Sequence, residues 1–495
     1  MSYLLALDQG TTSSRALVFR EEGTLVGLHQ EPLDVATPRP GWVEQDAGAI
    51  FDTQSRCIER VLADNSLRAK DIAALGIANQ RETTIVWDRK TGEPIGPAIV
   101  WQDRRTAEAC RRLRESGAED KVKARTGLLL DPYFCATKIA WLLDEVPGAR
   151  KRAEAGELAF GTVDTWLLWR LSGGRTHATD ISNASRTLLY DIHRQRWDAD
   201  LLALFGVPAS LLPEVHVNTA DFGKAVIGGA RFTVHGMGGD QQSALFAQGC
   251  LEPGHAKVTY GTGAFVLANT GEASYGEGLL TTVAWQLGKA SPVYALEGSI
   301  FNAGAVVQWL REGLGIIEQS EDVERLGASV EDSDGVWMVP ALTGLGAPFW
   351  RPDARGALLG LTRGTRPAHI ARAALESIAF RVCDVLKEVE RSGGLGVETV
   401  RVDGGAARNN LLMQIQADLL GTPLERSHQT EITAMGAALF AGIGAGILPP
   451  DASQTWWQRE RRFEPGMDTQ KRAARYAAWR KVVGHVADWS EQDTK

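Results

Sequence analysis

Two apolar runs at the N-terminus, separated by a polar turn, constrain the fold more than any other feature of the sequence. Residues 3–7 (YLLAL) stop at the segment 8–15 (DQGTTSSR), and the apolar pattern resumes at residues 16–19 (ALVF). Two strand-length apolar segments around a turn rich in glycine and hydroxyl residues predict a buried β-hairpin with a polar tip. Gly10 allows backbone angles closed to other residues, so the N–H and hydroxyl groups that follow it can converge on an anion such as phosphate.

Asp8 and Arg15 place opposite charges beside this tip. Asp8, at the end of the first strand, can hold a cation next to the anion, and Arg15 adds a positive charge. The alternative is an ordinary hairpin turn, because Asp and Gly are the commonest turn residues. Taken alone, the segment leaves both interpretations open.

Length, charge and cysteine spacing narrow the class of protein. A chain of 495 residues exceeds what one hydrophobic core supports, so we expect two or more domains. The net charge of −8 is spread without long runs, which argues against nucleic-acid or anionic-membrane binding. Without a run of ~18 apolar residues or a signal-peptide pattern, we predict a cytoplasmic protein with no stable membrane insertion. The five cysteines lie far apart and form no C-x-x-C pair, which favours reduced thiols.

Further polar clusters follow predicted strands. The apolar strand 72–77 leads into residues 79–84 (NQRETT), and residues 239–242 (GDQQ) precede a small-residue helix at 243–248. Ligands of open α/β sheets collect at strand ends, so both clusters are candidate sites. Helical periodicity predicts a helix that Asp46 caps and that ends near residue 65, and others at 303–311, 369–391, 411–420 and 435–446.

The second half of the chain repeats the opening pattern. A turn at 259–265 (TYGTGAF) lies between apolar runs, and a strand at 399–402 leads into a third polar turn, 403–410 (DGGAARNN). We predict a weak internal duplication: two sheet domains, with a boundary between about residues 234 and 254, each presenting a glycine-rich turn to a shared cleft. The two commonest nucleotide signatures are absent, so these three turns would have to bind the phosphates and the nucleoside.

Six short motifs together resemble one protein family. They are DQGTTSSR at 8–15, PGWVE at 40–44, NQRETT at 79–84, GDQQ at 239–242, YGTG at 260–263 and VDGG at 402–405. In this order they closely resemble the FGGY carbohydrate kinases, over a span from about residue 4 to residue 479. Residues 356–361 and 369–376 are similar to the family's C-terminal signature. Cys135 departs from the Ser, Thr or Pro of the N-terminal signature, and we expect this small residue to leave the chemistry unchanged.

The resemblance implies an α/β fold of two ribonuclease-H-like (actin-like ATPase) domains around a central cleft. Residues 1–245 would form an N-terminal FGGY domain with the polyol site and a first phosphate loop, and residues 246–495 a C-terminal domain with a second phosphate loop and the adenosine site. The implied activity is transfer of a phosphoryl group from ATP, with Mg²⁺, to glycerol. The products would be ADP and sn-glycerol 3-phosphate, in the first step of glycerol catabolism, and the implied assembly is a homo-oligomer, a dimer or tetramer.

Asp240 resembles the catalytic base of the family. Phosphoryl transfer to an alcohol needs a group that accepts the hydroxyl proton, and the small residues before Asp240 leave its carboxylate accessible at a strand end. The alternative is that Asp240 is the N-cap of the following helix.

The remaining site residues also follow from the resemblance. Arg81 and Glu82 place a donor and an acceptor side by side for two hydroxyls of a triol, and the alternative is a surface ion pair. Asp8 and Asp240 match the metal-side carboxylates, with Asp8 acting through water. The implied polyol site, which favours glycerol over pentuloses, consists of Arg81, Glu82, Trp101, Tyr133, Asp240, Gln241 and Phe265. The implied nucleotide contacts are Thr11, Thr12, Ser13, Arg15, Thr262, Gly304, Gln308, Gly405 and Asn409.

Other functions fit parts of the same pattern, and two segments differ from regulatory sites of relatives. An FGGY kinase for another polyol or ketose is the nearest alternative, and a non-catalytic ATP-binding or sugar-sensing protein like actin or Hsp70 is a different class, against which Asp8 and Asp240 both argue. The segment 227–231 (IGGAR) lacks the Thr of the Gly-Gly-Thr-Arg loop that binds an inhibitory sugar bisphosphate in some bacterial relatives. Lys471 replaces a Glu that enterobacterial relatives use to bind a phosphotransferase-system regulator. We predict that both controls are weak or missing.

Overall fold

The computed structural model describes residues 2–492, which form a mixed α/β protein. The strands are β1 Tyr3–Gln9, β2 Ser13–Arg20, β3 Leu25–Pro32, β4 Glu44–Gln45, β5 Ile72–Asn79, β6 Ile85–Asp88, β7 Ala98–Ile99, β8 Leu158–Gly161, β9 Ala178–Asp180, β10 Tyr190–Asp191, β11 Arg196–Trp197, β12 Glu214–His216, β13 Lys224–Ile227, β14 Ala230–Gly239, β15 Ala256–Tyr260, β16 Ala264–Gly271, β17 Leu280–Trp285, β18 Val293–Ile300, β19 Trp337–Val339, β20 Ala357–Leu359, β21 Val400–Asp403, β22 Leu424–Ser427 and β23 Arg459–Phe463. The helices are α1 Ala47–Asp64, α2 Ala107–Glu115, α3 Glu119–Thr126, α4 Cys135–Glu145, α5 Ala149–Glu154, α6 Val163–Leu171, α7 Ile181–Ala184, α8 Ala199–Phe205, α9 Asp240–Ala247, α10 Gly304–Glu312, α11 Asp322–Ala328, α12 Pro367–Gly393, α13 Asn410–Leu420, α14 Ile432–Gly444, α15 Ala452–Trp456 and α16 Thr469–Gln492. Within residues 2–492, none of these helices has the length and apolar character needed to cross a membrane.

The described residues divide into two compact units. The first contains the chain up to Gly249 together with Thr281–Tyr294 and Glu431–Trp456, and the second contains Cys250–Leu280, Ala295–Thr430 and the chain from Trp457 onward. Each unit is therefore assembled from separate segments of the sequence. The division of functions between residues 1–245 and 246–495 stays a prediction.

The first unit is built on a six-stranded sheet with the order β13–β14–β5–β1–β2–β3. β1 and β2 form the predicted antiparallel hairpin, in which Gln9 lies opposite Ser14. β5 pairs parallel to β1, and β14 pairs parallel to β5, so that Gln9, Asn79 and Gly239 lie at the same level. The residues that follow these three strands therefore meet at one edge of the sheet.

Both faces of this sheet are covered, which explains why β1 is an unbroken apolar run rather than an alternating one. Leu5 and Leu7 belong to a core that includes buried residues of α1 and α6. α14 packs against β1, β5 and β14. A Cβ atom at Gly76 of β5 would lie only 2.0 Å from the carbonyl oxygen of Ala437 in α14. On the helix side, a Cβ atom at Gly444 of α14 would lie 2.0 Å from the carbonyl oxygen of His235 in β14, so this contact requires small residues on the helix as well as on the sheet.

The second unit repeats this arrangement with the strand order β18–β16–β15–β21–β22–β23. β15 and β16 form an antiparallel hairpin, β21 is parallel to β15, and β22 is parallel to β21. The same directions relate β1 to β2, β5 to β1 and β14 to β5 in the first unit. The internal duplication predicted from the sequence is confirmed at the level of strand order.

Local capping signals account for several helix ends. The Asp46 carboxylate accepts hydrogen bonds from the N–H groups of Gly48 and Ala49 at 2.7 and 3.2 Å, which confirms it as the N-cap of α1. The alternative interpretation of Asp240 as an N-cap is wrong: β14 continues to Gly239, which is itself the N-cap, and Asp240 is the first residue of α9. Its carboxylate lies in the first turn of the helix, where the helix dipole favours a negative charge.

Candidate functional site at the strand ends

Charged and polar side chains gather where three parallel strands of the first sheet end. β1 leads into Gly10, β5 into Gln80 and Arg81, and β14 into Asp240. The Gln80 N–H donates to the Gln9 carbonyl oxygen at 2.7 Å, which joins the end of β5 to the end of β1. Arg81 Nε lies 3.2 Å from Asp240 Oδ1, which joins the end of β5 to the end of β14. The structure thus brings three of the polar clusters of the sequence together.

The turn between β1 and β2 is built to present donors. Each carbonyl oxygen from residue 10 to residue 13 accepts a hydrogen bond from within the protein. A phosphate is bound by N–H and O–H donors and repelled by carbonyl oxygens, so bonded carbonyls favour an anion site. The bonds are Gln9 Nε2 (3.2 Å) and Gln80 Nε2 (3.3 Å) to Gly10 O, Gln45 Nε2 to Thr11 O (2.6 Å), Leu33 N to Thr12 O (2.9 Å) and Gly10 N to Ser13 O (2.9 Å).

Asp8 and Arg15 lie together beside this turn. Arg15 Nη1 is 3.3 Å from Asp8 Oδ2 and also 3.3 Å from Glu431 Oε2. Burial raises the pKa of Asp8 to about 6, against the charge of Arg15, and the negative charges of Glu431 and Asp240 raise it further. Because its ionised form is disfavoured, the Asp8 carboxylate would gain stability from a cation bound nearby. The carboxylate oxygens of Asp8 and Asp240 are the kind of ligand that Mg²⁺ prefers.

Arg81 is a buried hub and not part of a surface ion pair, so that alternative is wrong. Arg81 and Glu82 are only 3% and 1% exposed. Besides its contact with Asp240, Arg81 donates through Nη1 to Gln242 Oε1 at 3.3 Å and through Nη2 to the Tyr133 hydroxyl at 3.4 Å. A buried guanidinium with several partners holds all of them in a defined arrangement.

Glu82 pairs most closely with a different arginine. Arg186 Nε donates to Glu82 Oε1 at 2.6 Å, whereas Arg81 Nε lies 3.9 Å from the same oxygen. The backbone of Glu82 has a φ of 60°, which is uncommon for a residue other than glycine. Arg186 is completely buried, so the two charges compensate each other away from water.

Trp101 and Tyr133 form an aromatic corner next to these charges. Their ring centroids are 5.7 Å apart, with an angle of 71° between the ring planes. The Trp101 indole N–H donates to Thr11 Oγ1 at 3.0 Å. Tyr133 is buried and Trp101 is half-buried. The corner therefore connects the turn at residues 10–13, called here the phosphate-type turn, to Arg81, whose guanidinium reaches the Tyr133 hydroxyl.

Asp240 is more accessible to solvent than the arginine that it contacts. Its side chain is 29% exposed, whereas that of Arg81 is 2% exposed. Asp240 Oδ1 accepts from the Gln241 backbone N–H at 2.7 Å, and Oδ2 accepts from Gln241 Nε2 at 3.2 Å. A carboxylate that is oriented by fixed donors and still open to solvent can accept a proton from a bound hydroxyl group.

In the second unit, the turn after β15 is tied to the start of α10. The Gly304 N–H donates to Gly261 O at 2.9 Å, and the N–H groups of Ala303 and Ala305 donate to Thr262 O at 2.9 and 3.0 Å. A Cβ atom at Gly304 would lie 2.6 Å from the Gly261 oxygen, so this approach requires glycine. Thr262 and Gly304, two predicted nucleotide contacts, are therefore neighbours.

The turn after β21 lies against the same hairpin. Gly404 has a φ of 89°, and a Cβ there would lie 2.4 Å from the Tyr260 carbonyl oxygen. Gly405 follows directly and begins a 3₁₀ turn that ends at Arg408. The predicted contact Gly405 is thus placed beside the hairpin that carries Thr262.

Three further predicted residues lie in the second unit. Two of them, Gln308 and Asn409, form hydrogen bonds within the protein, and the third, Phe265, lies on a strand. Gln308 lies one turn after Gly304 on α10 and donates to Glu312 Oε2 at 3.0 Å. Asn409 is the N-cap of α13, and its Oδ1 accepts from the Leu412 N–H at 2.8 Å, a role that sequence reasoning missed. Phe265 is half-buried on β16. It belongs to the second unit, whereas the other predicted polyol residues belong to the first.

Several side chains that support the site were not predicted individually, although Gln80 and Gln242 lie in the predicted clusters at 79–84 and 239–242. Lys138 and Arg186 are buried beside Glu82, and Gln242 contacts Arg81. Gln45 and Gln80 bond the carbonyls of the phosphate-type turn. The signal for Lys138 is a charged residue within a largely apolar stretch, but it does not name the partners of Lys138, and Arg186 lies among polar residues and gives no such signal.

The two segments considered for regulation have simple local structures. Gly228 and Gly229 form a two-residue turn between β13 and β14, with φ values of 54° and 80°. Lys471 lies in the first turn of α16, where its N–H donates to Asp468 Oδ1 at 2.9 Å. The weak or missing regulation stays a prediction.

Two family models match this chain. The model for the N-terminal domain of the FGGY family of carbohydrate kinases matches residues 3–247, and the model for its C-terminal domain matches residues 256–445. Glycerol kinase from Geobacter sp. (strain M21) is 53% identical over 494 residues, which cover 99% of this chain and 100% of that protein. Glycerol kinase from Aromatoleum aromaticum is 56% identical over 494 residues, which cover 99% of each chain.

Solved structures agree with the fold. The crystal structure of Plasmodium falciparum glycerol kinase with ADP matches with a TM-score of 0.92 and 35% identity, and the match covers 98% of each chain. Gluconate kinase from Lactobacillus acidophilus matches with a TM-score of 0.88 at 19% identity, again over 98% of each chain. The second likeness concerns the fold alone.

Proposed function

Because the chain belongs to the FGGY family of carbohydrate kinases, we propose that it transfers the γ-phosphoryl group of ATP to a terminal hydroxyl of glycerol. The products are ADP and sn-glycerol 3-phosphate. Relatives called glycerol kinase that are 53% and 56% identical over nearly the whole chain support this substrate. The observation that carries the proposal is the convergence of Arg81, Glu82, Tyr133 and Asp240 at one sheet edge.

The cluster suits a small triol. Arg81 donates and Glu82 accepts, so two neighbouring hydroxyls of glycerol can each find a charged partner. Trp101 and Tyr133 provide apolar ring surface for the carbon chain. We assign Gln241 to a hydroxyl contact and Phe265 to a second apolar wall, as the family resemblance implies.

Asp240 is the proposed general base. It accepts the proton of the attacking hydroxyl while Arg81 and the Gln241 N–H hold its carboxylate in place. Phosphoryl transfer depends mainly on positioning and on donors around the transferring group. The turn at residues 10–13, with its bonded carbonyls, supplies such donors.

The proposed nucleotide contacts follow from the family resemblance. Arg15 and the hydroxyl residues of the first turn contact the β and γ phosphates, and the turns of the second unit contact the remaining parts of ATP. The contacts of the second unit are Thr262, Gly304, Gln308, Gly405 and Asn409.

Mg²⁺ is the proposed cation, and when bound it neutralises charge on the phosphates. Among residues 2–492, no three acidic, histidine or cysteine side chains form a ready-made metal cluster. Mg²⁺ does not need such a cluster, because it keeps several waters and uses one or two carboxylates together with substrate phosphates. Asp8, through water, and Asp240 are the carboxylates proposed to hold it. We propose that the reaction takes place in the cytoplasm, where ATP and reduced thiols are available.

A coupled ADP-release assay over a panel of polyols and ketoses tests the proposal. We expect the highest kcat/KM with glycerol, compared with dihydroxyacetone, xylulose and gluconate. In Asp240→Asn, kcat should fall by roughly 10²–10⁴-fold, the range for loss of a general base. Asp46→Asn is the matched control, because Asn caps a helix about as well as Asp. Preferred turnover of a pentulose would overturn the assignment of glycerol as the substrate. Unchanged turnover in Asp240→Asn would overturn the assignment of Asp240 as the general base. ATP hydrolysis that does not depend on a polyol would favour an ATP-driven binding protein.

A further inference from the structure

Lys138 occupies an unusual place beneath the proposed polyol site. It lies in the first turn of α4 and is completely buried. Its ammonium group donates to the carbonyl oxygen of Glu82 at 2.8 Å and to that of Tyr133 at 2.9 Å. Lysine is almost never fully buried, because removing the ammonium from water is unfavourable. Because burial of the Lys138 ammonium is unfavourable for stability, we expect this side chain to have another role.

The immediate acceptors of Lys138 are backbone carbonyls. Burial lowers its pKa, and the nearby Cys135, Glu82, Asp103 and Asp131 act in the opposite direction. Carbonyl acceptors fix an ammonium by geometry, since each bond has a preferred distance and direction. The two bonds therefore set the separation between the backbone at Glu82 and the backbone at Tyr133.

The Glu82 backbone needs such support. Its left-handed φ of 60° is held by a carbonyl that accepts from Lys138, from Thr84 Oγ1 at 3.1 Å and from Cys135 Sγ at 3.4 Å. Residues in sparsely populated backbone regions persist only where the surroundings fix them, and they cluster at functional sites. At this bend the Arg81 side chain reaches Asp240, and the Glu82 side chain reaches Arg186.

The second carbonyl belongs to the other candidate hydroxyl ligand. The Tyr133 hydroxyl accepts from Arg81 Nη2 at 3.4 Å, and its backbone N–H donates to Asp131 Oδ1 at 2.9 Å. The Lys138 ammonium thus links Glu82, whose carboxylate is proposed to accept a hydrogen bond from glycerol, with Tyr133, whose hydroxyl lies beside Arg81.

We propose that Lys138 is a positioning residue for the polyol: its ammonium group fixes the relative position of Glu82 and Tyr133 and thereby sets discrimination between glycerol and analogues that lack a hydroxyl. The inference rests on the proposed function. Lys138 touches neither substrate in this account, and it acts through the two backbones that it joins.

The test compares Lys138→Met with the wild-type protein on glycerol and on 1,2-propanediol and 1,3-propanediol, which each lack one hydroxyl. Loss of two charge-assisted bonds should raise the KM for glycerol by roughly tenfold or more. The ratio of kcat/KM for glycerol over each diol should fall by a similar factor, while the KM for ATP changes less than about twofold. If Lys138 only stabilised the fold, the substitution would change the constants for glycerol, the diols and ATP together or would leave all of them unchanged.

Lys257→Met is the matched control, because Lys257 is also completely buried but lies on β15, where its ammonium donates to Thr259 Oγ1 at 2.7 Å. We expect this variant to lose stability and to keep its glycerol-to-diol ratio. If Lys138→Met does not fold, Lys138→Gln carries the same test, since its amide retains N–H donors without the charge, and a smaller fall in the ratio is expected.

The outcomes separate this inference from the proposed function. Absence of glycerol turnover in the wild-type protein would reject the proposed function, and the comparison would then use the preferred polyol and its deoxy analogues. Normal glycerol turnover in the wild type, with an unchanged glycerol-to-diol ratio in a folded Lys138 variant, would overturn the positioning role alone.

Discussion

Gly239, the last residue of β14, offers a sharp test of how closely Arg81 is positioned. Its backbone angles, φ −58° and ψ 150°, are open to any residue, so Gly239→Ala introduces no backbone strain. The added Cβ would nevertheless lie 2.7 Å from Gln242 Oε1 and 2.8 and 2.9 Å from Cδ and Cγ of Arg81. Ordinary carbon contacts begin at about 3.5 Å. The Arg81 side chain must therefore move by roughly 0.6–0.7 Å.

A shift of this size is large for the bonds that Arg81 makes. Its contacts with Asp240 and Tyr133 measure 3.2 and 3.4 Å, so a displacement that lengthens them by this amount removes them as hydrogen bonds. Misplacement by about 1 Å can reduce catalysis by roughly 10²-fold. We expect kcat/KM for glycerol to fall by roughly 10–100-fold, with little change in the KM for ATP, because Gln45 and Gln80 hold the phosphate-type turn.

Steady-state kinetics with glycerol and ATP varied in turn, together with a thermal melt, measure this effect. Gly396→Ala is the control, because no heavy atom of residues 2–492 outside the adjoining residues lies within 4 Å of a Cβ at that position, and its φ lies outside the left-handed region. The reasoning is refuted if folded Gly239→Ala has the wild-type kcat/KM for glycerol. It is also refuted if the KM for ATP rises as much as that for glycerol, since the damage would then extend beyond Arg81.

Three further predictions concern stability and accessibility. Asp46→Ala should lower the free energy of unfolding by about 1 kcal/mol in a urea titration, because α1 loses two N-cap hydrogen bonds, and Asp46→Asn should restore it. Burial, together with the charge of Arg89, lowers the pKa of His177 to about 4, although its bond to the Phe160 carbonyl opposes this shift. The stability that His177 contributes is thus present above pH ~6.5 and lost as the pH falls through about 4, and urea midpoints should fall less steeply over this range in His177→Gln. All five cysteines are buried, and burial raises the pKa of thiols such as Cys110 to about 12, so a thiol reagent should label none of them quickly in the native protein and all five in denaturant.

The parts of the fold that depend on neighbouring residues could be predicted from the sequence. The hairpins β1–β2 and β15–β16 follow from apolar runs around glycine-rich turns. Asp46 and Gly421 mark the start of α1 and the end of α13, because capping is decided within one helical turn. The return of the chain to the first unit at Glu431 could not be predicted, since no local pattern encodes which core a buried helix joins.

The site shows the same limit. Strand ends identified Asp8, Arg81 and Asp240 as candidates, because parallel strands must bring such positions to one edge. The partner of Glu82 is Arg186, 104 residues further along the chain, and such a pairing has no period or motif. Lys138 was visible only as a charge on a largely apolar helix, and its bonds to two backbone carbonyls depend on the left-handed conformation of Glu82.

The duplicated strand order assigns different chemistry to equivalent strand ends. In the first unit, β5 is followed by Gln80, Arg81 and Glu82, and the edge carries charged side chains. In the second unit, the equivalent strand β21 is followed by Gly404 and Gly405, and a Cβ at Gly404 would collide with the neighbouring hairpin. Charged side chains can bind hydroxyls and accept protons, whereas glycine turns bring the backbone close to a ligand without side-chain chemistry. Gly404→Ala should therefore impair folding or nucleotide binding and leave the glycerol-to-diol preference unchanged, since that preference resides in the charged edge of the first unit.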